Sequence, residues 1–230
     1  MELVNNPHSF SDFEDLKKIR NQLIINKELI EVSDFGAGSK KLNSTKRSIN
    51  QIVKHGIAPE KQAEFLYRLI NFLNPKFIVE LGTSVGLTTL YLAKAAPKAT
   101  VYTLEGCENL TAFSSHLFKQ QAIQNITSVV GNFNDTFPQL VNSLETIDFL
   151  YIDGNHAYEP TMRYFNLALQ KKNEHSIFVF DDITWSKGMQ QAWKEICAHP
   201  EITLSLDFFF FGLVFFRKEN KHKEHFTLKF

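Results

Sequence analysis

The spacing of apolar residues changes character at Pro75, and the change divides the chain. Before it, apolar positions recur at helical intervals. Phe13, Leu16, Ile19, Leu23 and Ile24 predict a helix over Ser11–Ile30, with Ser11 or Asp12 placed to cap it. Helical spacing also covers Thr45–His55 and Pro59–Leu73, the second with Pro59 suited to its first turn. Ser33–Ser44, with two glycines among Ser, Lys and Asn, reads as loop. After Pro75, short apolar runs alternate with helical segments. Strands are expected at Phe77–Leu81, Thr100–Leu104, Ile126–Val130, Ile147–Ile152 and Ile177–Phe180. Helices fit between and after them at Thr88–Ala96, Leu110–Gln121, Phe137–Ser143, Thr161–Lys171 and Met189–His199. Such alternation implies right-handed crossovers and a parallel sheet covered on both faces. Ile202–Leu206 and Phe209–Phe216 break the rhythm, with only Asp207 and Phe208 between them, so they should pair antiparallel.

In a doubly wound sheet, ligands collect beyond the carboxyl ends of the strands, so those ends are where chemistry is sought. The first strand ends on Glu80, then come Gly82 and Gly86, then a helical pattern. A strand, a tight glycine turn and a helix let backbone wrap closely around a nucleotide-like ligand. The spacing is Glu-Leu-Gly-x-x-x-Gly, with Ser84 where the dinucleotide fingerprint GxGxxG would place a middle glycine. The second strand ends at Glu105-Gly106, 25 positions after Glu80, where a ribose-binding acid belongs. The third ends at Gly131-Asn132-Phe133, offering an amide for adenine nitrogens and a ring for the purine face. An ordinary turn followed by a core aromatic would read the same way. Asp153-Gly154-Asn155-His156 and Asp181-Asp182 close the fourth and fifth strands.

The segment Lys76–Ala93 resembles the first motif of class I S-adenosylmethionine (SAM) methyltransferases, in which the strand-end acid and glycine loop hold the amino acid end of SAM. Asp153-Gly154-Asn155-His156 with Tyr158, and Phe180-Asp181-Asp182-Ile183-Thr184-Trp185, resemble motifs of small-molecule O-methyltransferases of the catechol and caffeoyl-CoA type. The resemblance spans roughly Lys76 to Arg217. It implies a Rossmann-like α/β fold: a doubly wound, mostly parallel seven-stranded sheet with a C-terminal antiparallel hairpin, preceded by N-terminal helices. Residues 1–75 would form a helical cap region and residues 76–230 the SAM-binding domain. Carried over, Glu80, Gly82, Ser84, Gly86, Thr88, Glu105, Gly106, Asn132, Phe133 and Asp153 would bind the cofactor. Thr88 could equally bond only its own helix backbone.

In the same family a strand-end Asp and an Asp-Asn pair bind a divalent cation that grips the acceptor's oxygens. The resemblance therefore points to Asp153, Asp181 and Asp182 as metal ligands. Two departures stand out: Asp182 replaces the usual Asn, and His156 stands where that family often carries a lysine base. Three converging carboxylates repel, so one takes up a proton unless a cation intervenes. Oxygen-only ligands suit Mg²⁺ or Ca²⁺. The alternative is that Asp153 touches SAM, Asp182 caps the next helix and no metal binds. His156 can be neutral near pH 7 and accept a proton from a hydroxyl nucleophile, or it can structure its loop. His156 and Asp153 are thus the catalytic candidates.

Composition narrows the partners. Formal net charge is zero, which gives no electrostatic case for nucleic acid or an anionic membrane. The apolar run Phe208–Phe216 is far too short for a membrane helix, and the N-terminus lacks signal-peptide architecture. Two cysteines cannot form a disulfide framework, so a reducing cytoplasm is expected. Asp34–Ser39 mimics a second glycine motif without any β–α–β rhythm; it reads as a loop over the cleft, with Lys40, Lys41 and Arg47 near the acceptor. The expected activity is methyl transfer to a hydroxyl oxygen of a small molecule, with a homodimer left open. The rivals are a nucleotide-binding oxidoreductase, a nucleic-acid or protein methyltransferase, and a SAM-binding regulatory protein without turnover.

Overall fold

The computed structural model describes residues 10–33, 45–219 and 222–229, and in it the change at Pro75 is where the main sheet begins. The N-terminal elements are α1 (Ser11–Ile25), β1 (Leu29–Glu31), β2 (Lys46–Ser48), α2 (Ile49–Gly56) and α3 (Glu60–Leu73). Helix α1 stops five residues before its expected end. Asn26 turns extended and its side chain accepts the Glu28 N–H at 2.8 Å, which frees Leu29–Glu31 to pair antiparallel with β2. The helix expected from Thr45 starts at Ile49 for a related reason: Ser48 and Gln51 form a capping box. Pro59 lies one position outside its helix, as the cap of α3.

The sheet strands are β3 (Phe77–Leu81), β4 (Thr100–Glu105), β5 (Ile126–Val130), β6 (Phe149–Ile152), β7 (Ile177–Phe180), β8 (Leu204–Asp207), β9 (Gly212–Phe215) and β10 (Glu224–Thr227). Their order is β10-β8-β9-β7-β6-β3-β4-β5. β3 to β7 run parallel, while β9 is antiparallel to both β7 and β8. The doubly wound architecture with its reversed C-terminal pair is therefore as the sequence predicts. The turn between β8 and β9 is longer than expected, because Phe208 and Phe211 leave the strands to stack at 4.8 Å and pack on Phe65 of α3. Among the described residues the sheet has eight strands, not seven. β10 adds to β8 in parallel, and its four exposed residues carry no apolar alternation by which to recognise it.

Helices α4 (Leu87–Ala95), α5 (Glu108–Gln120), α6 (Phe133–Ser143), α7 (Tyr158–Leu169) and α8 (Lys187–Ala198) complete the crossovers. Successive strand residues serve opposite faces. Ile78, Phe149, Tyr151, Ile177 and Val179 join α1 to α5 in one core; Val79, Leu81, Leu150, Phe178 and Phe180 join α6 to α8 in the other. Polar residues interrupt the first face in one row: Thr103 of β4, Glu80 of β3 and Tyr151 of β6 lie in register, all fully buried. That row sits one step below the strand tips. No helix of the described residues is long and apolar enough to cross a membrane.

Candidate functional site

A cavity of about 660 Å³ opens beyond the carboxyl ends of β3, β4, β6 and β7. It lies where β3 is flanked by β4 on one side and β6 on the other, the position at which chain order reverses. Gly82, Ser84, Glu105 and Gly106 line its β3–β4 side, Asn132 and Phe133 the β5 side, and Asp153, His156, Asp181 and Asp182 the β6–β7 side. The sequence-derived candidates thus converge, with three exceptions described below. Left-handed backbone clusters here, at Ser84 (φ 50°), Asn155 (φ 56°) and Asp182 (φ 53°). Such conformations persist in non-glycine residues only where surrounding structure enforces them.

Glu105 staples the glycine loop. One carboxylate oxygen accepts the Ser84 N–H at 2.8 Å, the other the Cys107 N–H at 2.9 Å. Val32 and Ser33, which follow β1, and Arg47 of β2 form another part of the cavity wall. This ribbon is tied to the start of α5: the Glu31 carbonyl accepts the Asn109 amide at 2.8 Å and the Cys107 thiol at 3.6 Å. The glycine-rich segment Asp34–Ser39 and Lys40–Lys41 lie outside the described residues.

Glu80, Gly86 and Thr88 are not on the cavity wall. Glu80 is fully buried beneath the glycine loop, and its Oε1 has no hydrogen-bond partner. One of its oxygens accepts the Thr89 hydroxyl at 2.5 Å and the Thr103 hydroxyl at 2.6 Å, beneath the loop rather than in the cleft. Thr103 in turn accepts from Thr83, since its own proton is committed to Glu80. Gly86 is the left-handed cap of α4, and a Cβ there would meet the Phe118 ring at 2.6 Å. Thr88 is buried in the first turn of α4, and its hydroxyl has no hydrogen-bond partner, not even its own helix backbone. Such an orphan beside a loop of this kind is what a ligand's anionic end would satisfy.

Burial raises the Glu80 carboxyl to about 7, against the two threonine hydrogen bonds, which lower it. The protonated form therefore favours the folded state. Its stabilisation is complete below the unfolded value of 4.5 and is lost as pH rises through about 7. Wild type should lose roughly 2–3 kcal/mol from this group between about pH 5 and pH 8. Glu80→Gln should not show that component. Urea unfolding of both chains at the two pH values measures the difference, and parallel pH dependences would refute the assignment.

Asn132 caps α6 by accepting the Asn134 N–H at 2.9 Å and also lines the cavity. Phe133 sits edge-on to Tyr164 and against Gly154, whose added Cβ would come within 2.8 Å of the ring. The three aspartates are near one another but are not an open ligand set. The Tyr151 hydroxyl reaches Asp181 Oδ2 at 2.5 Å and Asp153 Oδ2 at 3.2 Å, and Gln62 donates to the same Asp181 oxygen at 2.9 Å. Asp181 Oδ1 accepts the Asp182 N–H. His156 Nε2 stands 3.7 Å from Asp153 Oδ1 and 3.6 Å from Asp182 Oδ2. Burial, then the Asp181, Asp182 and Glu80 carboxylates, pushes Asp153 well above the usual carboxyl range. Burial also raises Asp182, with His156 acting in the opposite sense. Among the described residues no group of three or more His, Cys, Asp or Glu side chains is arranged to hold a metal. The expected Mg²⁺ or Ca²⁺ set of Asp153, Asp181 and Asp182 does not fit a cation in this arrangement, because Tyr151 and Gln62 occupy Asp181 Oδ2 and Tyr151 also reaches Asp153 Oδ2.

Sequence reasoning missed Tyr151, Gln62 and Tyr164. A signal existed for the first two: each is a polar group on an otherwise apolar face, Tyr151 in a wholly buried strand and Gln62 beside Ala63 and Leu66 on α3.

A methyltransferase domain family matches residues 79–183. A catechol O-methyltransferase of Niastella koreensis is 29% identical over 125 residues, covering 53% of this chain and 56% of that protein. One of Mycobacterium tuberculosis is 26% identical over 131 residues, covering 56% and 58%. The chain thus spans little more than half the length of these curated relatives. Among solved structures, an O-methyltransferase of Bacillus cereus in complex with SAH superposes with a TM-score of 0.64 at 18% identity, covering 93% of this chain and 94% of that one. An O-methyltransferase of Streptomyces achromogenes in complex with SAM gives 0.62 at 17% identity, over 71% and 82%.

Proposed function

We propose that this chain is a SAM-dependent methyltransferase that transfers a methyl group to a hydroxyl oxygen of a small acceptor, a reading supported by the methyltransferase domain matched at residues 79–183 and by the shared fold. The carrying observation is the cleft at the switch point, where Glu105 holds the glycine loop and the buried Thr88 hydroxyl lacks a partner. SAM bound there supplies a methyl already activated by its sulfonium. The chain's own residues then bind, orient and deprotonate. Thr88 and the loop amides suit the cofactor's carboxylate, the Glu105 carboxylate at the cavity wall suits ribose hydroxyls, and Asn132 with Phe133 suits the adenine. Trp185 and Phe210 line the same cavity and offer rings against which a planar acceptor can lie. His156 takes the acceptor's proton as the oxygen forms its bond to the methyl carbon and the carbon–sulfur bond breaks. Holding oxygen and methyl in line supplies most of the acceleration. Free Cys107 and Cys197 fit a reducing compartment such as the cytoplasm.

Calorimetry with SAM and SAH, followed by transfer of radiolabelled methyl to a panel of catechols and other phenols, tests the reading. Binding of neither nucleoside would refute it. Binding of both, with no SAH formed on any acceptor, would favour a regulatory SAM-binding protein instead. Thr88→Val should weaken SAM roughly tenfold, about 1.4 kcal/mol, by leaving the cofactor's carboxylate short of one donor. An unchanged affinity would remove Thr88 from the site.

A further inference from the structure

We propose that the strand-end aspartates of this cleft work without a divalent cation, their bridging positions being taken by Tyr151, Gln62 and His156. The inference deepens the methyl-transfer reading, yet its geometry stands without it. A carboxylate oxygen offers two lone-pair directions. On Asp181 Oδ2 both are used, by the Tyr151 hydroxyl from β6 and the Gln62 amide from α3. Asp181 Oδ1 is held by the backbone N–H of Asp182. The same Tyr151 hydroxyl lies 3.2 Å from Asp153 Oδ2, so one proton donor spans the two carboxylates from below.

Neither donor can step aside. Tyr151 is fully buried in the polar row under the strand tips, and Gln62 is 3% exposed on a helix whose neighbours are core. A hard cation needs several oxygens at about 2.0–2.6 Å, so binding one here would strip both buried groups of their partners. On the cavity side the imidazole completes the arrangement. Left-handed backbone at Asp182 directs its carboxylate toward His156, whose Nε2 lies between Asp182 and Asp153 at nearly equal distances. Tyr151 is thus a positioning residue that acts through the two aspartates, and His156 faces the acceptor.

The test uses the full chain, stripped with chelator, saturated with SAH and titrated with Mn²⁺, with free Mn²⁺ read from its electron paramagnetic resonance signal. Wild type should leave the signal undiminished at one equivalent. Tyr151→Phe, which empties a ligand direction on each aspartate, should gain affinity at least about tenfold, and Asp181→Asn in that background should abolish the gain. Stoichiometric Mn²⁺ binding by wild type that disappears in Asp181→Asn would overturn the proposal. A folded Tyr151→Phe that gains nothing would overturn the role of the hydroxyl; if that variant does not fold, Gln62→Met puts the same question to the other donor. SAH binding on the same samples is a separate readout, so failure of the cofactor reading and failure of the cation-free arrangement are told apart.

Discussion

Gly82→Ala is expected to abolish SAM binding and to destabilise the chain by several kcal/mol, about 3 or more. Gly82 has φ +111°, outside the range that side-chain-bearing residues adopt readily, and an added Cβ would lie 2.1 Å from the Asp153 carbonyl oxygen. Neither partner can retreat. The Gly82 and Thr83 N–H groups both donate to Leu104 of β4, and the Asp153 N–H donates to Leu81 of β3, so three strand ends are laced together at this point. Relief of the clash has to open that lacing, which also carries Ser84 to Glu105 and Asp153 to the cavity. Gly56 is the internal control: a Cβ there meets nothing within 4 Å, and Gly56→Ala should stay within about 0.5 kcal/mol of wild type. Calorimetric titration with SAM and urea unfolding provide the two readouts. A Gly82→Ala chain that binds SAM within tenfold of wild type would show that the glycine loop is not the cofactor's seat.

His156→Ala should lower kcat about 10²–10⁴-fold while leaving SAM affinity within about threefold. The ring is 21% exposed at the cavity, close to two aspartates, and little else depends on it. Its loop is held independently, by the Ala157 N–H on the Asn155 carbonyl and by the Asn155 amide on the Tyr164 hydroxyl. The backbone is therefore expected to survive loss of the imidazole. If His156 takes the proton, the loss falls on the methyl-transfer step and not on cofactor binding. Turnover within a few-fold of wild type would assign deprotonation elsewhere.

Much of this architecture was legible because burial on both faces writes parallel strands as short apolar runs. The limits of β3, β5 and β7 agree with the apolar runs that predicted them. The polar strand ends pointed to the cleft for a similar reason, since a charged residue that ends a buried strand requires an explanation. Failures came where a local interaction outweighs periodicity. Asn26 and Ser48 end or start helices by side-chain bonds that hydrophobic spacing does not register. β10 has four exposed residues and leaves no apolar pattern. Sequence shows where an acid lies along a strand, not that pleating turns Glu80 beneath the loop toward Thr89 and Thr103. Nor does anything linear reveal that Tyr151 and Gln62, 89 residues apart, meet at one oxygen of Asp181.

The β1–β2 ribbon bears on how a ligand would enter and leave. Two strands of three residues form the least self-sufficient element of the cleft wall, tied to the opening of α5 through Glu31 and to the core through Ile30. On the proposed reading, the ribbon is the wall that a spent nucleoside would displace most cheaply, and a chain with more hydrogen bonds at Glu31 would release it more slowly without any alteration to its chemistry.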